Sequence, residues 1–488
     1  MNRTGKPETF KPVVMKKLIF FLLMTVLLYM PLEWMNADVR LPSVIGNHMV
    51  LQQKSNVQLW GWCSPGEKIN VTASWDTVHY TTMGSRGADW MLTIATPSSG
   101  GPFTITIKGQ NTIVLEDVMV GEVWVCSGQS NMEMSAGWGL NPPFNEVPDE
   151  SNKNIRLFYV SKATADCPQD NSDGKWTTCT VDDMRRFSAI GYYFAKRLTK
   201  ELNVPVGVIN SNWGGTPAEV WTPRDKVVNN PTLNSTAGKY DLTNWWPVDP
   251  GVTYNAMIYP ITRFAIAGVL WYQGESNVGT WSTYQALLTT MIGSWRSAWH
   301  KDFPFYYVQI APYAGYGQEN VCALQREVQT RLMEVLHSGM VVISDLVDNV
   351  NDIHPKDKID VANRLANWAL AETYGVKGLA YKSPQFRRMN IDKGKIRLSF
   401  DNAPNGLMSK GGDPKEFQIA GEDRIFIPAQ ARIEGNTILV WSKQVKNPVA
   451  VRFGFSNASI PNVFNMEGLP VNLFRTDNWD VPTLPVKK

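Results

Sequence analysis

The sequence predicts an α/β domain, built on a parallel sheet with helices on both faces, between two β-rich regions. In the middle of the chain, short apolar runs alternate with longer amphipathic ones, as strands and helices do in a covered parallel sheet. On either side, short runs alternate apolar and polar residues between Gly, Pro, Ser and Asn turns, which is typical of antiparallel sheets. With 488 residues, 43% of them hydrophobic, the chain can form more than one core.

The first 37 residues are predicted to be a secretory signal segment. Lys16 and Lys17 precede LIFFLLMTVLLYM, an apolar run that is short for a membrane span and matches the apolar region of a signal peptide. Cleavage after Ala37 is expected, with an uncleaved amino-terminal anchor as the alternative. We therefore expect a secreted or periplasmic protein with no membrane contact beyond this segment.

Charge and cysteine content restrict the partners and sites. The chain carries 47 basic and 44 acidic side chains, and residues 1–37 hold five of the basic and two of the acidic ones, so the remainder is neutral. This balance argues against nucleic-acid binding. Cys167 and Cys179 flank a polar loop and are the expected disulfide among five cysteines. Their spacing is unlike a zinc site, so no metal is predicted.

Two β-rich regions flank the centre. Residues 38–112, with runs such as NVQLWGW and FTITIKG, are predicted to form an N-terminal β-sandwich-like domain. Residues 379–488, with runs such as KIRLSF and AVRFGF, are predicted to form a C-terminal β-rich domain. Both could bind glycan, restrict a pocket or form an interface, and structural support is the interpretation we favour.

Residues 113–378 are predicted to be the α/β domain. Its expected strands are Glu122–Cys126, Ile155–Val160, Val206–Asn210, Ala267–Tyr272, Phe305–Ile310 and Met340–Ser344. Its expected helices are Phe187–Leu202, Thr283–Ala298, Val321–Leu336 and Lys358–Tyr374. Four strand ends are followed by unusual polar motifs, SGQSNME, SNWGGT, QGESN and DLVDNVNDIHP. Because ligands bind beyond the carboxyl ends of parallel strands, we expect these motifs to form one site.

Ser130, in the first motif, is the candidate nucleophile. A serine hydroxyl needs a base to take its proton, and histidine is the expected partner. Only His354 follows a strand of the α/β domain and has a carboxylate, Asp352, beside it. The other histidines lie in the N-terminal β-rich region or in turns next to helices: His48, His79, His300 and His337.

A hydrolytic serine also needs hydrogen-bond donors for the developing oxyanion. Gly214 and Gly215 can bring backbone N–H groups close to a substrate, since glycine has no side chain in the way. Gln273 or Asn277 could add a side-chain amide, and Ser130 its own N–H. Each motif alone has an ordinary structural explanation as a turn or a helix cap, but their joint occurrence at these strand ends favours catalysis.

The motifs GQSNMEM, WGGTPAEVW, WYQGESN and DIHPKDK, in this order, resemble the sialate O-acetylesterase family of SGNH-type hydrolases, which is related to acetylxylan esterases. FSAIGYYFAKRL and GVTYNAMIYPI are also similar, so the resemblance covers most of the chain after residue 37. It implies a flavodoxin-like three-layer α/β/α domain, no cofactor, and removal of acetyl groups from sugars.

The resemblance also implies roles. Ser130 would be the nucleophile and His354 the general base, while Gly214, Gly215 and Gln273 would join the Ser130 N–H in the oxyanion hole. The residues next to these motifs are the candidates for substrate binding: Gln129, Asn131, Trp213, Trp271 and Glu275.

The acid of the triad stays open. SGNH enzymes commonly place it three residues before the histidine, where this chain has Asn351, and Asp352 is the nearest carboxylate. A dyad oriented by a backbone carbonyl is possible as well. The remaining carboxylate candidates are Asp348, Asp345 and Glu275.

The expected function is removal of O-acetyl groups from sugars, with sialate O-acetylesterase as the first reading. The alternatives are an esterase for acetylxylan or another acetylated glycan, and a non-catalytic carbohydrate-binding protein. The expected partner is an O-acetylated sugar or glycan, and the sequence does not indicate an oligomeric state.

Overall fold

The computed structural model describes residues 38–143 and 150–485, together with residues 1 and 5. The predicted signal segment, residues 1–37, therefore lies outside the described residues except for those two positions. Within the described ranges, no helix combines the length and the apolar character that crossing a membrane requires.

The N-terminal region consists of short, mostly antiparallel strands in two layers. The strand β3 pairs with β4 and β6, whereas β2 pairs with β5 in a separate two-stranded sheet. In β5 the buried residues Trp90, Leu92 and Ile94 alternate with exposed ones, as expected for a strand with one face on a core. The strands are β1 (Val50–Gln52), β2 (Asn56–Trp62), β3 (Lys68–Ala73), β4 (His79–Met83), β5 (Asp89–Ala95) and β6 (Gly100–Lys108).

A long strand, β7 (Thr112–Gly128), connects this region to the central sheet. Its first part pairs antiparallel with β6, and its last part, from Glu122, pairs in parallel within the central sheet. The predicted boundary between residues 112 and 113 thus coincides with the start of a strand that both regions share. The division into domains stays a prediction.

The central sheet has the spatial order β13-β12-β11-β7-β10-β8-β9, and all neighbours are parallel except β8 and β9. The predicted α/β class is confirmed, and all six predicted central strands are present with shifted ends. The strands after β7 are β8 (Ile155–Tyr159), β9 (Trp176–Thr178), β10 (Val206–Asn212), β11 (Gly268–Tyr272), β12 (Phe305–Val308) and β13 (Ser338–Val341).

Helices cover both faces of this sheet, which gives three layers. On one face α3 and α8 pack through Phe194, Leu198 and Leu365, and on the other α6 packs through Leu288 and Trp295. The α-helices are α1 (Ser130–Glu133), α2 (Val181–Arg186), α3 (Ala189–Leu202), α4 (Arg224–Val228), α5 (Pro231–Ala237), α6 (Trp281–Trp299), α7 (Val321–Arg331) and α8 (Lys358–Trp368). Short 3₁₀ or π segments include Ala136–Trp138, Ala218–Trp221, Tyr254–Ile258, Glu275–Thr280 and Ala369–Thr373.

The C-terminal region is β-rich, as predicted, with four-stranded sheets ordered β14-β15-β20-β19 and β18-β17-β21-β23 and a β16-β22 pair. Arg475 forms an ion pair with Glu327 of α7 at 2.8 Å, which fastens this region to the central domain. Its strands are β14 (Gln385–Asp392), β15 (Lys395–Asp401), β16 (Leu407–Ser409), β17 (Phe417–Ala420), β18 (Ile427–Pro428), β19 (Gln430–Glu434), β20 (Thr437–Trp441), β21 (Ala450–Phe453), β22 (Val463–Asn465) and β23 (Phe474–Arg475).

The expected disulfide between Cys167 and Cys179 is wrong for this structure. All five cysteines lie in the described ranges and are unpaired. Cys179 is buried in the core beneath α2, whereas Cys167 lies on an exposed loop. The two thiols face different environments, so flanking a polar loop does not bring them together.

The turn after β7 depends on Gly128, whose φ is +135° and whose hypothetical Cβ would overlap the carbonyl of Tyr272. Gly128→Ala should cost about 1–3 kcal/mol from the backbone conformation, with the overlap adding to it. We expect a clearly lower Tm by calorimetry. Gly375→Ala, at φ +71° in open space, is the matched control and should lower Tm less. Equal losses would contradict the close approach.

Candidate active site

The topology of the sheet places one strand end in a crevice. The central strand β7 has β10 on one side and β11 on the other, and the chain reaches them by connections on opposite faces. Such a switch point leaves a crevice beyond the carboxyl ends of the strands, where α/β proteins bind ligands. Ser130 lies there, two residues after β7 ends, as the first residue of α1.

The turn that carries Ser130 is fixed by the neighbouring strand. The Gln129 N–H donates to the Tyr272 carbonyl at 3.0 Å, directly after the left-handed Gly128. The Ser130 side chain is half-buried and faces the crevice, while Gln129 is buried beneath it. The end of β7 and its contact with β11 together place the hydroxyl at the rim of the sheet.

The structure brings His354 to this hydroxyl across 224 positions of sequence. The imidazole Nε2 lies 2.9 Å from Ser130 Oγ, a hydrogen-bond distance. Partial burial and the positive charge of Lys358 lower the pKa of His354, while the Asp352 carboxylate opposes them. The imidazole is therefore biased towards its neutral form, which can accept the serine proton through Nε2 when Nδ1 carries the hydrogen.

Asp352 is the carboxylate that the structure places beside the other imidazole nitrogen. Its Oδ1 accepts the His354 backbone N–H at 2.9 Å and lies 3.7 Å from Nδ1, which is too long for a direct hydrogen bond. The other candidates are placed differently. Asp345 pairs with Arg364 at 2.6 Å, Asp348 is exposed, and Glu275 accepts from Asn131.

Gly214, predicted to be an oxyanion donor, lies against Ser130. A Cβ at Gly214 would be 3.3 Å from Ser130 Cβ. In this structure its N–H donates at 2.6 Å to Glu133, whose other carboxylate oxygen accepts from Lys162 at 2.6 Å. The glycine N–H is therefore occupied by a carboxylate, a contact that sequence reasoning did not find.

The prediction that Gln273 joins the oxyanion hole is corrected by its contacts. Its amide nitrogen is buried and donates to Asn277 at 2.7 Å and to the Thr216 carbonyl at 3.3 Å. The side-chain amide of Asn277 likewise forms hydrogen bonds with buried neighbours and does not reach Ser130. Gly215 accepts from Ser276 through its carbonyl and packs under Trp246. These contacts brace the loops behind the site.

Most of the residues predicted to bind substrate also support the loops behind the site. Trp271 is 1% exposed and packs among Trp221, Trp295 and Phe305, so its prediction as a pocket wall is wrong. Its side chain packs into the core on the face of the sheet that α6 covers. Only Trp213 remains half-exposed at the rim.

The polar candidates are buried too. Gln129 accepts from the N–H groups of Gly274 and Ser276, and Asn131 donates to Glu275, so these amides join the serine loop to the QGES loop. All three predicted residues, Gln129, Asn131 and Glu275, lie behind the surface and contact protein. Backbone groups at strand ends need partners, and these side chains supply them.

Exposed aromatic side chains flank the crevice, and sequence reasoning missed them. Trp138, 49% exposed, meets the His354 ring edge-to-face at 6.1 Å between centroids. It borders a cavity of about 520 Å³ whose lining includes Glu133, Tyr159 and Arg186. Among 19 tryptophans, the sequence gives no signal that would single out this one.

No metal or cofactor site was predicted. Across residues 38–143 and 150–485, no three His, Cys, Asp or Glu side chains are arranged to hold a metal ion.

Comparison with known proteins agrees with these motifs. A family described as carbohydrate esterase, sialic acid-specific acetylesterase, matches residues 120–371, which include Ser130, His354 and the motifs between them. The chain belongs to this family. It is thus an esterase of carbohydrates whose substrate is an O-acetylated sugar, which excludes the alternative of a non-catalytic binding protein.

Individual relatives share most of their length with this chain. Sialate O-acetylesterase from Rattus norvegicus is 29% identical over 450 residues, covering 78% of this chain and 82% of that protein. The Homo sapiens protein of the same name is 30% identical over 424 residues, covering 78% and 80%. The crystal structure of a carbohydrate acetylesterase from Xanthomonas citri superposes with a TM-score of 0.81 at 34% identity, covering 91% of this chain and 100% of that one.

The position of Asp352 beside His354 predicts that the negative charge of its carboxylate contributes to kcat. Asp352→Asn keeps an acceptor for the His354 N–H but removes the charge that stabilises an imidazolium, so kcat should fall roughly 10²- to 10⁴-fold. Acetate release from an aryl acetate measures this. Asp348→Asn, on the same loop but exposed, is the control and should stay within about twofold of wild type. A similar change of kcat in both variants would show that Asp352 has no role in the site.

Proposed function

We propose that this esterase removes O-acetyl groups from sialic acids through an acetyl-serine intermediate. The observation that carries the proposal is the 2.9 Å contact between Ser130 Oγ and His354 Nε2 at the switch point of the sheet. It supplies a nucleophile and a base at hydrogen-bond distance, the minimum that acyl transfer by serine requires. The sialate substrate is supported by the relatives' names and the family description.

The first half-reaction transfers the acetyl group to the enzyme. His354 Nε2 takes the Ser130 proton as Oγ attacks the acetyl carbonyl, and Asp352 stabilises the resulting imidazolium. The imidazolium then protonates the sugar oxygen as it leaves. Water repeats the sequence on the acetyl-serine, releasing acetate and restoring both residues.

The oxyanion would be held by two backbone donors. The Ser130 N–H lies in the first turn of α1, where a helix provides no acceptor of its own, and the Gly214 N–H lies beside it. Gly214 can serve only after Glu133 releases it. Lys162, already bonded to the other oxygen of Glu133, would hold the displaced carboxylate.

The sugar would lie against aromatic and charged side chains. Trp138 offers an exposed ring next to His354, and Trp246 covers Gly215 from the other side. Lys175 and Arg186 line the cavity beside Trp138 and could pair with a carboxylate such as that of a sialic acid. Acetylated xylan lacks that carboxylate, so comparing wild-type kcat/KM on the two substrates tests the choice.

We further propose that the protein is secreted or periplasmic, with residues 1–37 as its signal segment. The support is the LIFFLLMTVLLYM run after Lys16 and Lys17. The three-part division at residues 38–112, 113–378 and 379–488 belongs to the same proposal.

Ser130→Ala should abolish turnover. Loss of the nucleophile in a serine hydrolase costs roughly four to six orders of magnitude in kcat, measured as acetate release from O-acetylated sialic acid. Ser127→Ala is the matched control, because this buried hydroxyl has no hydrogen-bond partner among the described residues, and it should keep wild-type turnover. A Ser130→Ala enzyme with wild-type acetate release would exclude the acyl-serine mechanism.

Trp138→Ala should separate sugar binding from chemistry. Removing an aromatic wall worth about 1–2 kcal/mol should raise KM for an O-acetylated sugar about 5- to 30-fold. KM for a small aryl acetate, which has no sugar to stack, should change much less. An equal change for both substrates would show that the ring acts on His354 and does not contact the sugar.

A further inference from the structure

A buried chain of polar contacts runs behind the serine and the histidine. Lys358 Nζ donates to Asn131 Oδ1 at 2.7 Å, and Asn131 Nδ2 donates to Glu275 Oε1 at 2.6 Å. The same Nδ2 also donates to the Ile353 carbonyl at 3.1 Å. The amide thus turns its oxygen to the cation and its nitrogen to the anion, the favourable orientation of its dipole.

This chain is removed from water. Lys358 is fully buried and Glu275 is 7% exposed. Burial lowers the pKa of Lys358 to about 7 and raises that of Glu275 to about 7, while the opposite charges partly counteract both shifts. Glu275 Oε2 has no hydrogen-bond partner among the described residues. Burying two opposite charges in this way costs desolvation free energy that their attraction does not always repay, so the pair is weak evidence of stabilisation.

The chain touches both reacting loops. Asn131 directly follows Ser130, and Ile353 directly precedes His354, so one side-chain amide joins the two loops. Lys358 begins α8, four residues after His354, and its charge lowers the pKa of that imidazole.

Other charged or titratable groups face the same atoms. The Lys358 ammonium lies 5.3 Å from the centre of the Tyr272 ring, and the carboxylates of Asp352, Asp357 and Asp348 counteract the lowering of its pKa by burial. The groups around Glu275 are neutral at physiological pH, because burial raises the pKa of each: Tyr272, Tyr284, Tyr316 and Cys322. In this set Lys358 is the buried cation, and its charge lowers the pKa of His354.

We propose that Lys358 is a positioning residue for the esterase reaction. Its ammonium, balanced by Glu275 through Asn131, holds the serine loop against the histidine loop and disfavours protonation of His354. The inference rests on the proposed roles of Ser130 and His354 and adds a residue that touches neither the substrate nor the hydroxyl.

The test is the pH profile of kcat/KM for an aryl acetate from pH 4 to 9. Lys358→Met should move the acidic limb to higher pH, because the imidazole loses a neighbouring positive charge and protonates more readily. Lys356→Met makes the same substitution two residues earlier at an exposed position, and its limb should stay in place because water screens that charge.

A double variant separates positioning from folding. Lys358→Met leaves Glu275 buried without its cation and should lower Tm, whereas Glu275→Gln/Lys358→Met removes both charges and should recover Tm. The double variant should nevertheless keep the acidic limb at higher pH, since the cation is still missing.

If the double variant is folded and the acidic limb of its pH profile lies at the same pH as in the wild type, the inference is overturned and Lys358 is a structural residue. That outcome, together with an inactive Ser130→Ala enzyme, would contradict this inference alone. Wild-type turnover by Ser130→Ala would instead contradict the proposed function.

Discussion

The site depends on the close approach of two neighbouring strand ends. At the rim of the sheet, β7 and β11 lie so near each other that only glycine fits at position 128, and the Gln129 N–H bonds to the Tyr272 carbonyl. That contact fixes the direction in which the chain leaves β7 and therefore where Ser130 points. Asn131, the next residue, then donates to the Ile353 carbonyl and joins this turn to the loop of His354.

Buried amide side chains behind this rim hold the loops of the site in position. Gln129, Asn131 and Gln273 each join loops that follow different strands, and none of them faces the crevice. The loops are held by side chains because each leaves backbone groups without a sheet partner. Rigid support of this kind is what keeps two catalytic groups at bonding distance. The surface proposed to react is small: the Ser130 hydroxyl, the His354 imidazole, two backbone N–H groups and the exposed ring of Trp138.

The sequence predicted the features that follow from the periodicity of apolar residues and from the order of strands and motifs along the chain. The α/β class, the six central strands and the meeting of Ser130 with His354 came from apolar runs and from what stands after each strand. The prediction from sequence was wrong for residues whose role depends on the direction in which the side chain points. Trp271 lies just before the QGES motif and Gln273 begins it, yet Trp271 packs into the core and the Gln273 amide donates to Asn277. Trp138 and Glu133 were missed because their importance arises from three-dimensional neighbours, His354 and Gly214.

The continuity of β7 has a consequence for the history of the chain. One uninterrupted strand is an edge of the N-terminal β layer at its beginning and the middle of the catalytic sheet at its end. A recombination event that exchanged the N-terminal part would have to cut within or beside the segment that presents the nucleophile. Exchanging the N-terminal part alone would therefore interrupt a strand of both sheets. The C-terminal region instead forms sheets of its own and joins the centre through backbone and side-chain contacts, such as the Tyr313 N–H with the Asn457 carbonyl and Arg475 with Glu327.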